Sequence, residues 1–156
     1  MRIAYRRLEG RGGHEAGREL LAALYRQETG EDLPEIRITQ RGKPYFPESD
    51  LFFSISHTNN HVFCCLSRKN IGIDAEEADR PVRPGLVERI LSESEKARFL
   101  AAPEPREALL RLWVLKEAYA KLTGRGLGEY LYRTDFDPDD PRIHQIDGCF
   151  VAVLEE

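Results

Sequence analysis

Long apolar runs are missing from this chain of 156 residues. No stretch approaches the ~18 consecutive apolar residues that a membrane-spanning helix needs, so no membrane partner is expected. The first residues, Met1 to Arg7, carry charge with no apolar run behind them, which argues against a signal peptide. Cysteine is scarce and odd in number, at three, and Cys64 and Cys65 are neighbours that a strand would point to opposite faces. A disulfide framework is therefore not expected. With Cys64 and Cys65 inside the apolar run Val62 to Leu66, a reducing cytoplasm is the simpler setting. A strong charge of one sign is also missing: 23 Lys and Arg stand against 27 Asp and Glu, for a net of −4, which makes a poor general binder of nucleic acid.

The charge that is present is unevenly placed. Residues 1–70 hold 11 Lys and Arg against 9 Asp and Glu, while residues 71–156 hold 12 against 18. That asymmetry suits a protein that meets phosphates with its first half and a cation with its second. With 41% apolar and 32% charged residues, the chain is of ordinary globular composition and long enough for one compact domain or two small lobes sharing a core.

Periodicity predicts a short strand at 2–5 and a helix over 14–27, where Leu20, Leu21, Leu24 and Tyr25 recur at helical spacing before Gly30. Ile36 and Ile38 alternate with polar residues, and a turn follows at Arg41-Gly42-Lys43-Pro44. Strands are expected over 51–56, 62–67 and 71–75. After the rigid connector Arg80 to Pro84, Ser92 with Glu95 fits a capping box. Pro105 then opens a long helix running to Leu122, with Gly124 as its stop. Cys149, Val151 and Val153 alternate with Phe150, Ala152 and Leu154 in a closing strand. Helix plus sheet in each half makes the fold α+β. Internal sequence repetition is not visible.

Asp74 and Glu76 stand two apart in a predicted strand, so both carboxylates emerge on one face. With a third oxygen donor from elsewhere they make a reasonable Mg²⁺ site, although a pair of solvated acids at a strand end explains them equally simply. Trp113, Glu117 and Lys121 lie at i, i+4 and i+8 on the long helix, with Lys116 beside them. An exposed Glu–Lys pair is the plainer account, but it would not need the tryptophan. His57 closes the strand that ends Ser54-Ile55-Ser56-His57, well placed to meet a phosphate, though a lone histidine is more often structural. No Ser/Cys–His–Asp spacing favours a nucleophile. Asp135, Asp137 and Asp139 alternate like a calcium loop, but Asp140 and Ile146 stand where that loop needs glycine and glutamate. The glycines of Gly124 to Gly128 follow a helix instead of opening one, so they do not form a dinucleotide loop.

The ordered set Gly42-Lys43-Pro44, Phe53 to His57, Gly72-Ile73-Asp74-Ala75-Glu76, and Trp113 to Lys121 followed by Gly124 and Gly126-Leu127 resembles the motifs of the 4′-phosphopantetheinyl transferases. The likeness runs over about residues 14–128, with Gly148 to Leu154 resembling the closing strand, and it is nearest to the Sfp-type branch. That resemblance implies two pseudo-symmetric α/β lobes in one monomeric chain, here about 1–70 and 71–156. It also implies transfer of phosphopantetheine from coenzyme A to a serine of an apo acyl or peptidyl carrier protein, with release of 3′,5′-ADP. By matched position, Asp74, Glu76 and Glu117 would hold Mg²⁺, with Mn²⁺ as a substitute. Glu117, Lys121 and Asp74 would carry catalysis, and Arg18, Lys43, Ser56, His57, Lys116 and Lys121 would bind coenzyme A. Two positions depart from the pattern: Ser54 replaces the usual asparagine, and Ala75 replaces a larger aliphatic residue. The basic residues that help hold the 3′-phosphate in longer relatives have no clean match. Arg80, Arg83, Leu86, Val87, Arg89 and Ile90 follow the acidic strand, where the family docks its carrier.

Two other readings remain open. A Mg²⁺-dependent phosphohydrolase could use the same acids, although Ala78 stands where the common nuclease signature has lysine. A non-catalytic module that binds coenzyme A or carrier protein is the other.

Overall fold

The computed structural model describes residues 1–83, 85–126, 128 and 134–156. Pro84 of the connector and Leu127 of the glycine-rich stretch lie outside the described residues. The chain runs β1 (Arg2–Arg7), α1 (Gly13–Thr29), β2 (Arg37–Ile38), β3 (Pro44–Tyr45), β4 (Phe52–His57), β5 (His61–Ser67) and β6 (Ile71–Glu77). It continues with α2 (Leu86–Ile90), α3 (Glu93–Ala101), α4 (Pro105–Thr123), β7 (Ile143–Ile146) and β8 (Cys149–Glu155). This is a mixed helix-and-sheet fold, as the sequence led one to expect.

Two three-stranded antiparallel sheets dominate, in the orders β1-β5-β4 and β6-β8-β7. Each is built from a strand, a long helix and a closing hairpin, with the last strand lying between the other two. The central strands are apolar on both faces because both are covered. Val62, Cys64 and Leu66 of β5 join Leu20, Leu21 and Leu24 of α1, while Phe63 and Cys65 pack with Ile71, Ile73, Val151 and Val153 of the second sheet. On β8, Phe150, Ala152 and Leu154 turn the other way, onto Val114, Leu115 and Ala118 of α4. Alternation within an all-apolar strand thus serves two different cores. All three cysteines are buried, and burial pushes the Cys65 and Cys149 thiols up to about 12 and about 11.

The edges of the two sheets meet at β4 and β6, and side chains take over where a backbone ladder would otherwise run. Ile73 N–H donates to Ser54 Oγ at 3.1 Å, and Ala75 N–H donates to Ser56 Oγ at 3.2 Å. Two edge amides are satisfied in this way without a continuous sheet. The asparagine-to-serine departure noted at residue 54 therefore falls on this seam.

Local chemistry explains the helix ends. Ser92 and Glu95 form the expected capping box for α3, with Ser92 N–H donating to Glu95 Oε2 at 2.8 Å. Pro105 opens α4, and Gly124 closes it in the left-handed conformation at φ 65°. Among the described residues, no helix is long and apolar enough to cross a membrane.

Candidate active site

The site begins with one glycine. A Cβ at Gly72 would lie 2.1 Å from Ala118 O and 2.5 Å from Leu122 N. Only glycine lets α4 settle this closely on β6, and that contact brings the acids of β6 to the acid and lysine of α4. Asp74, Glu76, Glu117, Lys121, His57 and Ser56 all line one cavity of about 400 Å³, together with Trp113 and Arg80. Strand period and helix period converge on one space; the spacing predicted each shared face, and only the family resemblance implied that the two would meet.

Asp74 is 6% exposed and accepts hydrogen bonds from Lys121 Nζ at 2.8 Å and Ser56 Oγ at 3.0 Å. Burial lifts its carboxyl above the usual range, while Lys121 and the Ser56 hydroxyl pull it back. Glu76 Oε1 accepts from Trp113 Nε1 at 3.1 Å and is also paired with the Arg80 guanidinium. Burial again raises its carboxyl, opposed first by Arg80. Glu117 is pushed up to about 7, chiefly by burial and then by the Asp74 charge. A carboxyl poised there exchanges protons near neutrality.

A second cavity of about 300 Å³ lies beside the first and shares Ile55, Glu117 and Lys121 with it. Gly42, Lys43, Pro44, Phe53 and Gly124 line its far side. Lys43 Nζ donates to the Leu122 carbonyl at 2.6 Å and also meets Asn70 Oδ1. It thereby neutralises the C-terminal end of α4. His57 is exposed at the end of β4, and its ring lies against Gly13 at the start of α1, where a Cβ would be 2.5 Å from the ring. Arg18 is half-buried one residue beyond Gly17, which packs on Ile55.

One of the expected coenzyme A contacts is placed differently, and another, Ser56, lines the cavity but is already engaged. Lys116 is 0% exposed and bridges Glu95 Oε2 at 2.7 Å, with Thr134 O and Oγ1 each at 3.2 Å. One residue on a helix is about 100° of rotation, and that rotation turns Lys116 away from the acids into a buried ion pair. Ser56, 5% exposed, spends its hydroxyl on Asp74 and on the seam. Among the residues expected to dock a partner, Ile90 is 3% exposed and packs with Leu91, Leu109 and Leu112. Arg83 and Arg89 are exposed.

Sequence reasoning assigned no role to the Trp113–Glu76 hydrogen bond and did not place Arg80 at the acids. Trp113 stood on the right stripe, which was the available signal. Arg80 reaches back from a turn beyond the strand, where no period applies.

Three carboxylates around one cavity are hard oxygen donors of the kind Mg²⁺ prefers, and Mg²⁺ completes its shell with water and substrate oxygens. Among the described residues, no three such groups stand as a ready-made metal cluster. The donor chemistry fits a divalent cation, while internal cations hold Asp74 and Glu76 in the meantime.

Residues 70–150 match the family model of the 4′-phosphopantetheinyl transferase superfamily. The chain is 33% identical over 119 residues to 4′-phosphopantetheinyl transferase Sfp of Bacillus subtilis (strain 168), covering 73% of this chain and 50% of that protein. It is 33% identical over 125 residues to 4′-phosphopantetheinyl transferase HetI of Nostoc sp., covering 73% and 52%. It is 35% identical over 118 residues to 4′-phosphopantetheinyl transferase AcpT of Escherichia coli O157:H7, covering 70% and 56%. The chain therefore spans about half the length of these curated relatives.

Proposed function

The chain belongs to the 4′-phosphopantetheinyl transferase superfamily, and from that premise we propose that it transfers phosphopantetheine from coenzyme A to a serine of an apo acyl or peptidyl carrier protein. The observation that carries the reading is the convergence of Asp74, Glu76, Glu117 and Lys121 on one cavity. In this reaction a bond forms between the serine oxygen and the β-phosphorus of the coenzyme A pyrophosphate. The bond from that phosphorus to the bridging oxygen breaks, and 3′,5′-ADP leaves. Phosphoryl transfer asks the protein for alignment and charge neutralisation more than for covalent help.

Glu117, with its carboxyl lifted to about 7, takes the serine proton directly or through one water. Lys121 lies in both cavities and faces the charge that develops on the departing 5′-phosphate of 3′,5′-ADP. His57, Arg18 and Lys43 bind the phosphate and adenosine groups of coenzyme A, the first two from the α1 side and Lys43 from the far side of the second cavity. Asp74, Glu76 and Glu117 are the residues that would hold Mg²⁺ or Mn²⁺, which when bound supplies charge neutralisation at the phosphoryl oxygens. Arg83 and Arg89, exposed beside the apolar Leu86 and Val87, offer an acidic carrier a mixed basic and apolar face. The two helix-backed sheets are read as pseudo-symmetric lobes, about 1–70 and 71–156, in a monomer. Their shared connectivity supports that reading.

Intact mass spectrometry of an apo carrier protein incubated with this protein, coenzyme A and Mg²⁺ tests the proposal. The carrier gains the mass of one phosphopantetheine, and the gain is lost with Glu117→Gln or with EDTA. Coenzyme A binding without any gain across several carriers would instead support a non-catalytic binding module. Coenzyme A hydrolysis in the absence of a carrier would support a phosphohydrolase.

A further inference from the structure

The acids at the centre of the site do not stand bare. Lys121 holds Asp74, and Arg80 holds Glu76. These two cations differ in kind. Lys121 is 32% exposed, rises from the last turn of α4 and also donates to the Ile55 carbonyl at 3.3 Å, so both α4 and β4 fix it. Arg80 is 45% exposed in its side chain, and among the described residues Glu76 is the sole hydrogen-bond or ion-pair partner of its guanidinium.

The backbone of Arg80 is anchored all the same. Its N–H donates to Glu77 O at 3.0 Å, its carbonyl accepts from Arg106 Nη1 at 3.1 Å, and Pro81 follows. A proline restricts the residue before it, so the pivot is stiff while the long side chain beyond it remains free to turn. Trp113 Nε1 donates to the same Glu76 Oε1 at 3.1 Å, so losing Arg80 would not set the carboxylate adrift. Arg80 also lines a polar cavity of about 480 Å³ with His57, Thr58 and Asn59 and with the acids Glu76, Glu77 and Asp79, so other carboxylates stand near the guanidinium when it leaves Glu76.

We propose that Arg80 is a placeholder for the divalent cation, resting on the metal-site reading given above. With no metal bound, it keeps the Glu76 carboxylate aimed into the cavity. With the ion bound, Arg80 gives up Glu76 Oε1 and swings toward the Glu77 and Asp79 side of the cavity beside His57. Arg80 is a positioning residue in this scheme. It sets metal affinity, since the ion has to displace it, and it keeps the acids from repelling each other while the site waits.

The test uses the chain's single tryptophan, Trp113, whose indole N–H donates to Glu76 and whose fluorescence therefore reports on that carboxylate. Mg²⁺ is titrated into wild type, Arg80→Ala and Glu76→Gln at pH 8 without coenzyme A, and isothermal calorimetry supplies the same affinities independently. Removing both a competitor and a local positive charge is expected to tighten Mg²⁺ binding in Arg80→Ala by about three- to tenfold, the scale of one partly exposed ion pair. The rise in melting temperature on adding Mg²⁺ should likewise be larger in Arg80→Ala than in wild type. In wild type, peptide mapping after phenylglyoxal treatment should show Arg80 modified faster once Mg²⁺ is present.

If wild type binds Mg²⁺ through Glu76 but Arg80→Ala binds it equally or more weakly, the placeholder role is overturned and the metal site stands. Unchanged phenylglyoxal reactivity of Arg80 overturns it as well. If neither protein binds Mg²⁺, the metal assignment falls and the placeholder falls with it.

Discussion

Glu117 is the residue whose surroundings most change its chemistry. Its folded carboxyl is lifted from 4.5 to about 7, first by burial and then by the Asp74 charge. Between those pH values the folded chain holds a proton that the unfolded chain has released, so stability falls as pH rises through that window. In EDTA, the melting temperature of wild type should fall relative to that of Glu117→Gln from pH 4.5 to about 7, then run parallel above. A gap that stays constant across the range would place this carboxyl at its ordinary value. At the same scale, the sequence made Asp74, Glu76, Glu117 and Lys121 legible because each pair follows the period of its own element. It misjudged Lys116, since a stripe drawn at four-residue spacing says nothing about a neighbour turned into the core. Arg80 was grouped with the docking residues and not with the acids, because a turn has no period to project.

Among the elements, α4 and β6 depend on each other most. Gly72→Ala places a methyl group against the backbone of Ala118 and Leu122, and backbone atoms cannot swing aside as a flexible side chain can. The helix has to lift. Urea denaturation should report a loss of about 1–3 kcal/mol, with transfer activity falling alongside because α4 carries Glu117 and Lys121. An unchanged midpoint would mean that α4 is not seated this closely. The long elements were readable: α1 (Gly13–Thr29) and α4 (Pro105–Thr123) fall within a few residues of the expected spans, and the capping box fixed the start of α3. The strand β7 was missed because His144 and Gln145, its two middle residues, are exposed and leave no alternation. The five-residue α2 is too short for helical spacing to declare itself.

For the molecule as a whole, the seam between the sheets governs how the acid strand meets the first sheet. That seam was not legible, since serine hydroxyls at 54 and 56 carry no periodic signature and could as well have served a ligand. Ser54→Ala removes the acceptor of the buried Ile73 N–H. An unsatisfied buried donor costs about 1–3 kcal/mol, so chemical denaturation should show that loss, while the isosteric cavity left behind is small. A loss well under 1 kcal/mol would mean that water or a shifted β4 carbonyl takes the proton instead. The cysteines add a consequence at the same scale. All three are buried and the thiols of Cys65 and Cys149 are held near 12 and 11, so almost none of either is thiolate at neutral pH. Thiolate is the attacking species in disulfide exchange. If the proposed transfer holds, substrate and product each end in a free thiol, and buried, protonated cysteines keep the protein from forming mixed disulfides with either.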